Sequence, residues 1–216
     1  MKRLFLIGLI VCAGFFSKAQ QDVKAKEILD EVSNKTSSYK SIVADFVFTM
    51  QNKEMEIDER NEGTIKLKGQ KYVVDLPDVG ITVFSDGVTI WNYMKDGNQV
   101  TISNVDETGS ELMDPSSLFT IYEKGFKSKF VNETVKDNKT VYQIDLFPED
   151  ESQDVSKVSL FIDKKTMLIH SAVLYGTDGN LYGVEVKKMD TNQNLPDSGF
   201  VFSPENYKDV EIIDFR

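Results

Sequence analysis

Most of this chain alternates between apolar and polar side chains at every second position. Between residues 41 and 51, five apolar side chains fall on one side of the pattern: Ile42, Ala44, Phe46, Phe48 and Met50. A two-residue period is that of a β-strand, whose successive side chains point to opposite faces. Further strands are predicted at 64–67, 71–76, 81–85, 88–94, 99–104, 126–134, 140–147, 156–163, 168–175 and 181–188, with one or two short strands at 200–202 and 210–213. The chain is therefore predicted to be mainly β.

Short turns join these segments. Asp86-Gly87, Asp96-Gly97 and Asp178-Gly179 have the composition of two-residue hairpin turns. Strands joined in this way form an antiparallel meander, and a sheet of about eleven strands must curl or split. We predict a mainly β (α+β) fold: a single strongly curved antiparallel sheet or unclosed β-barrel of about eleven strands, covered by an N-terminal helix and a short central helical insert.

Two segments depart from the strand pattern. Asp22 to Lys35 has Ala25, Ile28, Leu29 and Val32 at helical spacing on one face, which predicts a helix lying across the sheet. Asp114-Pro115 is a favourable helix start and Gly125 a plausible stop, so a short apolar helix is predicted between them.

The concave face of a curved sheet receives every second side chain of each strand. If the helices seat fully on this face, the interior is a packed core, as most interiors are. If they seat loosely, an apolar cavity remains beneath them. Trp91 shares a strand face with Tyr93 and could equally lie outside. The predicted lining residues are Phe46, Phe48, Leu67, Tyr72, Val74, Val83, Trp91, Leu118, Phe119, Ile121, Tyr122, Leu160 and Ile162.

The first nineteen residues have the layout of a secretory signal peptide. Lys2 and Arg3 precede a thirteen-residue uncharged run, and Ser17-Lys18-Ala19 places small residues before a cut after Ala19. Cys12 lies inside the apolar run behind Val11, which does not suit lipid attachment. We expect residues 1–19 to be removed and 20–216 to form one soluble periplasmic domain without a cysteine.

Charge narrows the range of partners. The chain carries 25 basic and 35 acidic side chains, a net charge of −10. Loss of the three basic residues of the signal would leave about −13, which opposes binding to nucleic acid and to anionic lipid surfaces. We expect a monomer that binds no nucleic acid.

The residues of the common enzyme classes are missing. His170 is the only histidine, and we expect it to be a packed or surface residue of a strand rather than a general base or metal ligand. No nucleophile elbow or Gly-rich phosphate loop is present. Two acidic stretches could supply a hydrolase with carboxylates, but they have the character of solvated loops: Glu54, Glu56, Asp58, Glu59 and Glu62, and Glu149, Asp150, Glu151 and Asp154. We expect no catalytic residue, metal or cofactor.

The order of several motifs resembles the LolA-type outer-membrane lipoprotein carriers. The matching motifs are Ala44-Asp45-Phe46 after the helix, the strand from Gly63 to Lys68, Phe84-Ser85-Asp86-Gly87 with Trp91-Asn92-Tyr93, Asp114-Pro115 with Leu118 and Phe119, and Leu195-Pro196 through Phe200-Val201-Phe202-Ser203-Pro204 to Ile213-Asp214. The resemblance implies an unclosed β-barrel whose cavity holds the acyl chains of lipoproteins or lipids. It also implies an inner-membrane ABC-type releasing complex as donor and an outer-membrane acceptor.

The sequence departs from this family at one place. Where the family often has an Arg-Pro-Asn-like stretch whose arginine helps to hold a helical lid, this chain has Lys68-Gly69-Gln70-Lys71. Lys68 is the candidate for that latch, although lysine lacks arginine's fork of donors. The alternative function is a non-enzymatic, protein-binding envelope module, a sensor-regulator or assembly factor, on the same half-barrel scaffold.

Overall fold

The computed structural model describes residues 13–105, 125–150 and 152–216, with side chains from Val23 onward. Helix α1 spans Ala13–Ser37 and is followed by a sheet of twelve strands. The strands are β1 Ile42–Asn52, β2 Ile57–Lys68, β3 Lys71–Leu76, β4 Ile81–Ser85, β5 Thr89–Met94, β6 Gln99–Asn104, β7 Phe126–Lys136, β8 Lys139–Pro148, β9 Val155–Asp163, β10 Leu168–Gly176, β11 Leu181–Thr191 and β12 Glu211–Asp214. The central helical insert predicted before Gly125 lies outside the described residues.

Two meanders form one unclosed sheet. The strand order is β12-β6-β5-β4-β3-β2-β1-β11-β10-β9-β8-β7, so each meander keeps its sequence order. They are joined through β1 and β11, which pair antiparallel from Ile42 opposite Thr191 to Gln51 opposite Leu181. β12 and β7 are the two edges of the sheet. The predicted unclosed, mainly β fold is confirmed.

The C-terminal part of the sheet differs from the prediction. β12 runs parallel to β6, with Glu211 opposite Gln99, so the sheet is mixed rather than wholly antiparallel. Residues 197–200 form a 3-10 turn where a short strand was predicted over 200–202. The acidic stretch before Gly63 was interpreted as a loop, but β2 begins at Ile57 and includes Asp58, Glu59 and Glu62. Their pairing with β1 outweighs the low strand propensity of acidic residues.

Helix α1 packs on one face of the second meander, which we call the inner face. The predicted stripe of Ala25, Ile28, Leu29 and Val32 is buried, each side chain being at most 7% exposed. It contacts inner-face residues of β7 to β10, among them Ile144 and Leu160, which have no exposed surface. The inner face of this half of the sheet is therefore a close-packed core.

Helix α1 is longer than predicted at both ends. It is continuous across Ala19, after which we expect the signal peptide to be cut. Removal of residues 1–19 would leave the whole buried stripe in place, and the cleavage itself stays a prediction. No helix within the described residues combines the length and the apolar character needed to cross a membrane.

The C-terminal segment packs on the opposite, outer face of the first meander. Phe202 stacks on Tyr207 with 4.5 Å between ring centroids, and both rings contact Tyr93 of β5. Phe202 also meets Phe84 of β4 edge-on at 5.9 Å. Phe200 and Phe202 are 2% and 4% exposed. The two halves of the sheet are thus covered on opposite faces.

Candidate functional site

An apolar part of the inner face extends beyond the core beneath α1. Ile42, Ala44, Leu67 and Tyr72 form a buried base there, and apolar side chains that are only half-buried lie around it. We call the half-buried set the open wall; it consists of Phe48, Ile65, Val74, Val83, Val186 and Met189.

Strand pairing brings the open wall together. Val74 lies opposite Val83 in the β3–β4 pair and opposite Ile65 in the β2–β3 pair. Phe46 lies opposite Val186 in the β1–β11 pair. Because directly paired residues share a face, these side chains from five strands form one continuous surface.

Phe46 lies over a glycine of the neighbouring strand. Gly63 of β2 is directly opposite Phe46, and a Cβ atom added to it would lie 2.7 Å from the Phe46 Cζ atom. It would also lie 2.8 Å from the backbone oxygen of Asp75. The tip of the ring therefore occupies the space that the missing side chain leaves, as aromatic residues do over strand glycines. Phe46 is 9% exposed as a result.

The open wall is electrically neutral. The inner-face positions of β3 and β4 carry no side chain that is charged near neutral pH: Tyr72, Val74, Leu76, Ile81, Val83 and Ser85. Asp75 points to the other face, where Thr82 Oγ1 donates to its carboxylate at 2.8 Å. A surface of this kind binds by apolar area, with few directional hydrogen bonds.

The predicted lining residues fall into five groups. Phe46, Leu67 and Tyr72 are buried in or beside the base, and Phe48, Val74 and Val83 lie in the open wall. Leu160 and Ile162 lie beneath α1 with no exposed surface, so they belong to the packed core. Trp91 is opposite Phe84 on the outer face and does not line the inner one. Leu118, Phe119, Ile121 and Tyr122 lie outside the described residues.

Three members of the open wall were absent from the predicted lining. Ile65 lies on the same strand face as Leu67, so the apolar-polar alternation of this strand was enough to predict Ile65 as a lining residue. Val186 and Met189 are on β11, which the sequence pattern does not place beside β1. The contact of any of these side chains with a ligand stays a prediction.

The side chain of Lys68 forms its hydrogen bonds on the outer face. It follows the inward-facing Leu67, and its Nζ atom donates to Leu195 O at 2.8 Å and to Asp197 Oδ1 at 2.7 Å. Lys71 Nζ lies 2.9 Å from the other oxygen of Asp197. Lys68 therefore holds the C-terminal segment. The predicted lid lies outside the described residues, so the latching role of Lys68 stays a prediction.

The paired lysines change the titration of Asp197. Hydrogen bonds from Lys68 and Lys71, together with their charges, lower the pKa of this carboxyl to about 2. A carboxyl whose folded pKa is lowered stabilises the fold above its unfolded pKa of about 4 and loses that contribution as pH falls towards the folded value.

We expect Asp197→Asn to lower the melting temperature slightly at pH 7 and to have a shrinking effect between about pH 4 and pH 2. The effect is small because the carboxylate is 62% exposed and solvent screens the pair. Thermal melts of both proteins across this range measure the difference. A difference that stays constant with pH would show that the ion pairs do not cause it.

The acidic side chains of both stretches are exposed wherever the structure describes them. Glu54 and Glu56 are exposed, and Asp150 accepts hydrogen bonds from Ser152 N at 2.9 Å and Ser152 Oγ at 2.7 Å. This local turn accounts for the lowered pKa of Asp150. Glu151 lies outside the described residues.

Comparison with known proteins identifies related chains. Residues 37–203 match the family model described as outer membrane lipoprotein carrier protein LolA. A search of curated proteins finds no match. Among solved structures, an uncharacterized conserved protein from Thermus thermophilus aligns with a TM-score of 0.59 and 17% identity, over 88% of this chain and 99% of that one. A DUF1329 family protein from Desulfovibrio piger aligns with a TM-score of 0.50 and 12% identity, over 85% and 99% of the two chains. At these identities the structural matches establish the fold alone.

Proposed function

The chain belongs to the LolA family of outer membrane lipoprotein carrier proteins, and on this basis we propose that it is a non-enzymatic carrier whose open wall binds the acyl chains of lipoproteins or lipids. We further propose that it takes this cargo through the periplasm from the inner to the outer membrane. The observation that carries the proposal is the continuous apolar surface left half-buried beside the helix-covered core.

The energetics of acyl chains support this assignment. Each methylene group removed from water contributes about 0.8 kcal/mol, so a free diacylated protein does not stay dissolved. A carrier must cover most of that surface during transit. The open wall has the required chemistry, because six apolar side chains from five strands meet there without an intervening charge.

Release is favoured by the same features. An interface without buried ion pairs or directional hydrogen bonds offers a ligand no single strong contact that must be broken. Cargo can then pass to a partner with a larger or better-covered apolar surface. By analogy with the family, the donor would be an inner-membrane ABC-type releasing complex and the acceptor an outer-membrane protein.

The test is to purify the protein from its native envelope fraction, extract it with organic solvent and analyse the extract by mass spectrometry. We expect stoichiometric acyl lipid or acylated peptide, which would also identify the cargo. The complementary assay adds a diacylated lipopeptide to cargo-free protein and measures how much remains in solution, with the unacylated peptide as control.

A protein that carries no acyl group and keeps no lipopeptide in solution would contradict the carrier function. The rival protein-binding module would then be favoured if a protein partner co-purified in a fixed ratio while the open wall stayed unoccupied. These results separate the two functions because only the carrier needs acyl chains for binding.

A further inference from the structure

Three potential metal ligands from distant parts of the chain meet at the second meander. Asp137 is in the β7–β8 turn, His170 is in β10 and Glu185 is in β11, and one ligand atom from each lies within 4.8 Å of the other two. His170 Nε2 is 3.0 Å from Asp137 Oδ2. The cluster has no part in the proposed cargo surface, since Glu185 is next to the inward-facing Val186 and points to the other face.

Local backbone geometry places each ligand. Asp137 and Asn138 both have positive φ, 48° and 60°, as in the tight hairpin turns that suit these residue types. The register of β9 and β10 shifts between Ile169 and Ser171, so His170 occupies a β-bulge. Ser171, the next residue, lies directly opposite Glu185. Bulges re-aim side chains, and this one turns the imidazole towards the hairpin turn.

The burial of the three side chains suits a site with one open side. The His170 side chain is 3% exposed and that of Asp137 is 62% exposed. Glu185 is intermediate, at 28%. An ion could enter from the solvent side of Asp137 and bind against a fixed imidazole.

The two ring nitrogens of His170 have different surroundings. His170 Nδ1 is buried and has no hydrogen-bond partner within the described part of the chain. Nε2 faces the acceptor-only carboxylate of Asp137 at 3.0 Å, so in the metal-free protein it carries the ring proton and donates it to Asp137. A bound ion would take the place of this proton on Nε2, and the ring proton would then reside on Nδ1. Metal-bound histidines have this protonation state.

We propose that Asp137, His170 and Glu185 bind a divalent transition-metal ion of the zinc class, with water as the fourth ligand. One imidazole nitrogen and two carboxylate oxygens match the ligands that Zn²⁺ accepts, and two carboxylates balance its charge. Tetrahedral bonds of about 2.1 Å would separate ligand atoms by about 3.4 Å. The widest separation, within 4.8 Å, would then shorten by at most about 1.4 Å, and the 3.0 Å between His170 Nε2 and Asp137 Oδ2 would widen slightly.

Two lysines compete with the metal for this site. Lys187 Nζ is hydrogen-bonded to Glu185 Oε1, and the charges of Lys187 and Lys136 help to lower the pKa of Asp137, whose largest single cause is the hydrogen bond from His170. Lys187 is 45% exposed and can move into solvent when an ion arrives. Replacing Lys187 should therefore strengthen metal binding. Replacing the lysine of an ion pair away from a metal site would not have this effect.

A bound ion would link the β7–β8 hairpin turn to β10 and β11, across the strands that carry α1. At free Zn²⁺ about 100-fold above the dissociation constant, we expect the melting temperature to rise by about 5–10 °C. The ion would thus stabilise the packed half of the sheet and leave the open wall uncovered.

The test uses the untagged protein after removal of metals with a chelator. Titration with ZnCl2 in a calorimeter should give one saturable site. Because His170 is the only histidine, its ring signals in NMR spectra need no assignment, and we expect them to shift on saturation. Asp137→Asn should weaken binding at least 30-fold, Glu185→Gln should do likewise, and Lys187→Gln should strengthen it several-fold.

The matched control is Glu133→Gln, which removes an exposed carboxylate of the same hairpin. The Glu133 carboxylate pairs with Lys164 Nζ at 2.8 Å. It should bind Zn²⁺ as the unmodified protein does. The absence of a saturable site, unshifted histidine signals, or equal binding in Asp137→Asn and Glu133→Gln would each overturn the proposal. Asp137 is exposed, so its substitution is expected to leave the fold intact, which circular dichroism checks.

Discussion

Replacing Val83 by aspartate is expected to weaken binding of a diacylated lipopeptide by about 100-fold while the protein stays folded. Val83 is half-buried in the centre of the open wall, opposite Val74. A carboxylate at this position would lose its hydrating water when an acyl chain binds and would gain no hydrogen-bond partner, which costs several kcal/mol. A loss of about 2.7 kcal/mol of binding free energy corresponds to a 100-fold weaker affinity. Fluorescence titration with a labelled lipopeptide measures the change.

Val43→Asp is the matched control for this substitution. Val43 is also half-buried on a strand, but it lies on the outer face, opposite Lys66 of β2. We expect it to lower stability to a similar extent and to leave lipopeptide affinity within about twofold. Equal loss of affinity in both variants would indicate general destabilisation and would count against the open wall as the binding surface.

Replacing Gly63 by alanine is expected to lower the free energy of unfolding by about 1–3 kcal/mol, the usual cost of overfilling a packed site. The added methyl group would overlap the Phe46 ring, the Leu76 side chain and the backbone oxygen of Asp75, all within 2.8 Å. The side chains can rotate away, but the backbone oxygen belongs to the adjacent strand and cannot move without disturbing its pairing. Denaturant unfolding followed by circular dichroism measures the loss.

Gly199→Ala provides the comparison, because no atom lies within 4 Å of a Cβ added there and its backbone has an ordinary φ. We expect a change within about 0.5 kcal/mol, the usual range for a free surface position. A Gly63→Ala protein as stable as Gly199→Ala would show that the Phe46 ring does not depend on the space above Gly63.

The two predictions address different properties of one surface. Val83 is accessible enough to meet a ligand, whereas Gly63 sets the position of the ring that closes the base of the same face. A chain with Val83→Asp should lose no more stability than the Val43→Asp control while it loses lipopeptide affinity. A chain with Gly63→Ala should lose affinity only as far as the Phe46 ring is displaced.

Local periodicity was enough to predict most individual elements. The bounds of β3, β4 and β6 were predicted to the residue, since each strand lies between clear turns. The apolar stripe of α1 was predicted residue by residue for the same reason. The order of short motifs also indicated the LolA family, and the family match confirms it.

The alternation of apolar and polar residues did not predict which distant strands pair. Alternation fixes which side chains of one strand share a face, but it does not determine the neighbouring strand. The pairing of β1 with β11 joins residues about 140 positions apart and adds Val186 and Met189 to the open wall. The parallel pairing of β12 with β6 depends on the same kind of contact.

The sequence by itself determined the mainly β class, the helix with its buried stripe, the family and the apolar chemistry of the inner face, because each of these depends on neighbouring residues or on their order. Only the tertiary structure decided that α1 covers one half of the inner face, that Lys68 holds the C-terminal segment, and that Asp137, His170 and Glu185 meet. These arrangements depend on which distant strands pair, and on one bulge that re-aims His170. Such choices are settled by the packing of the whole sheet, which no local pattern specifies.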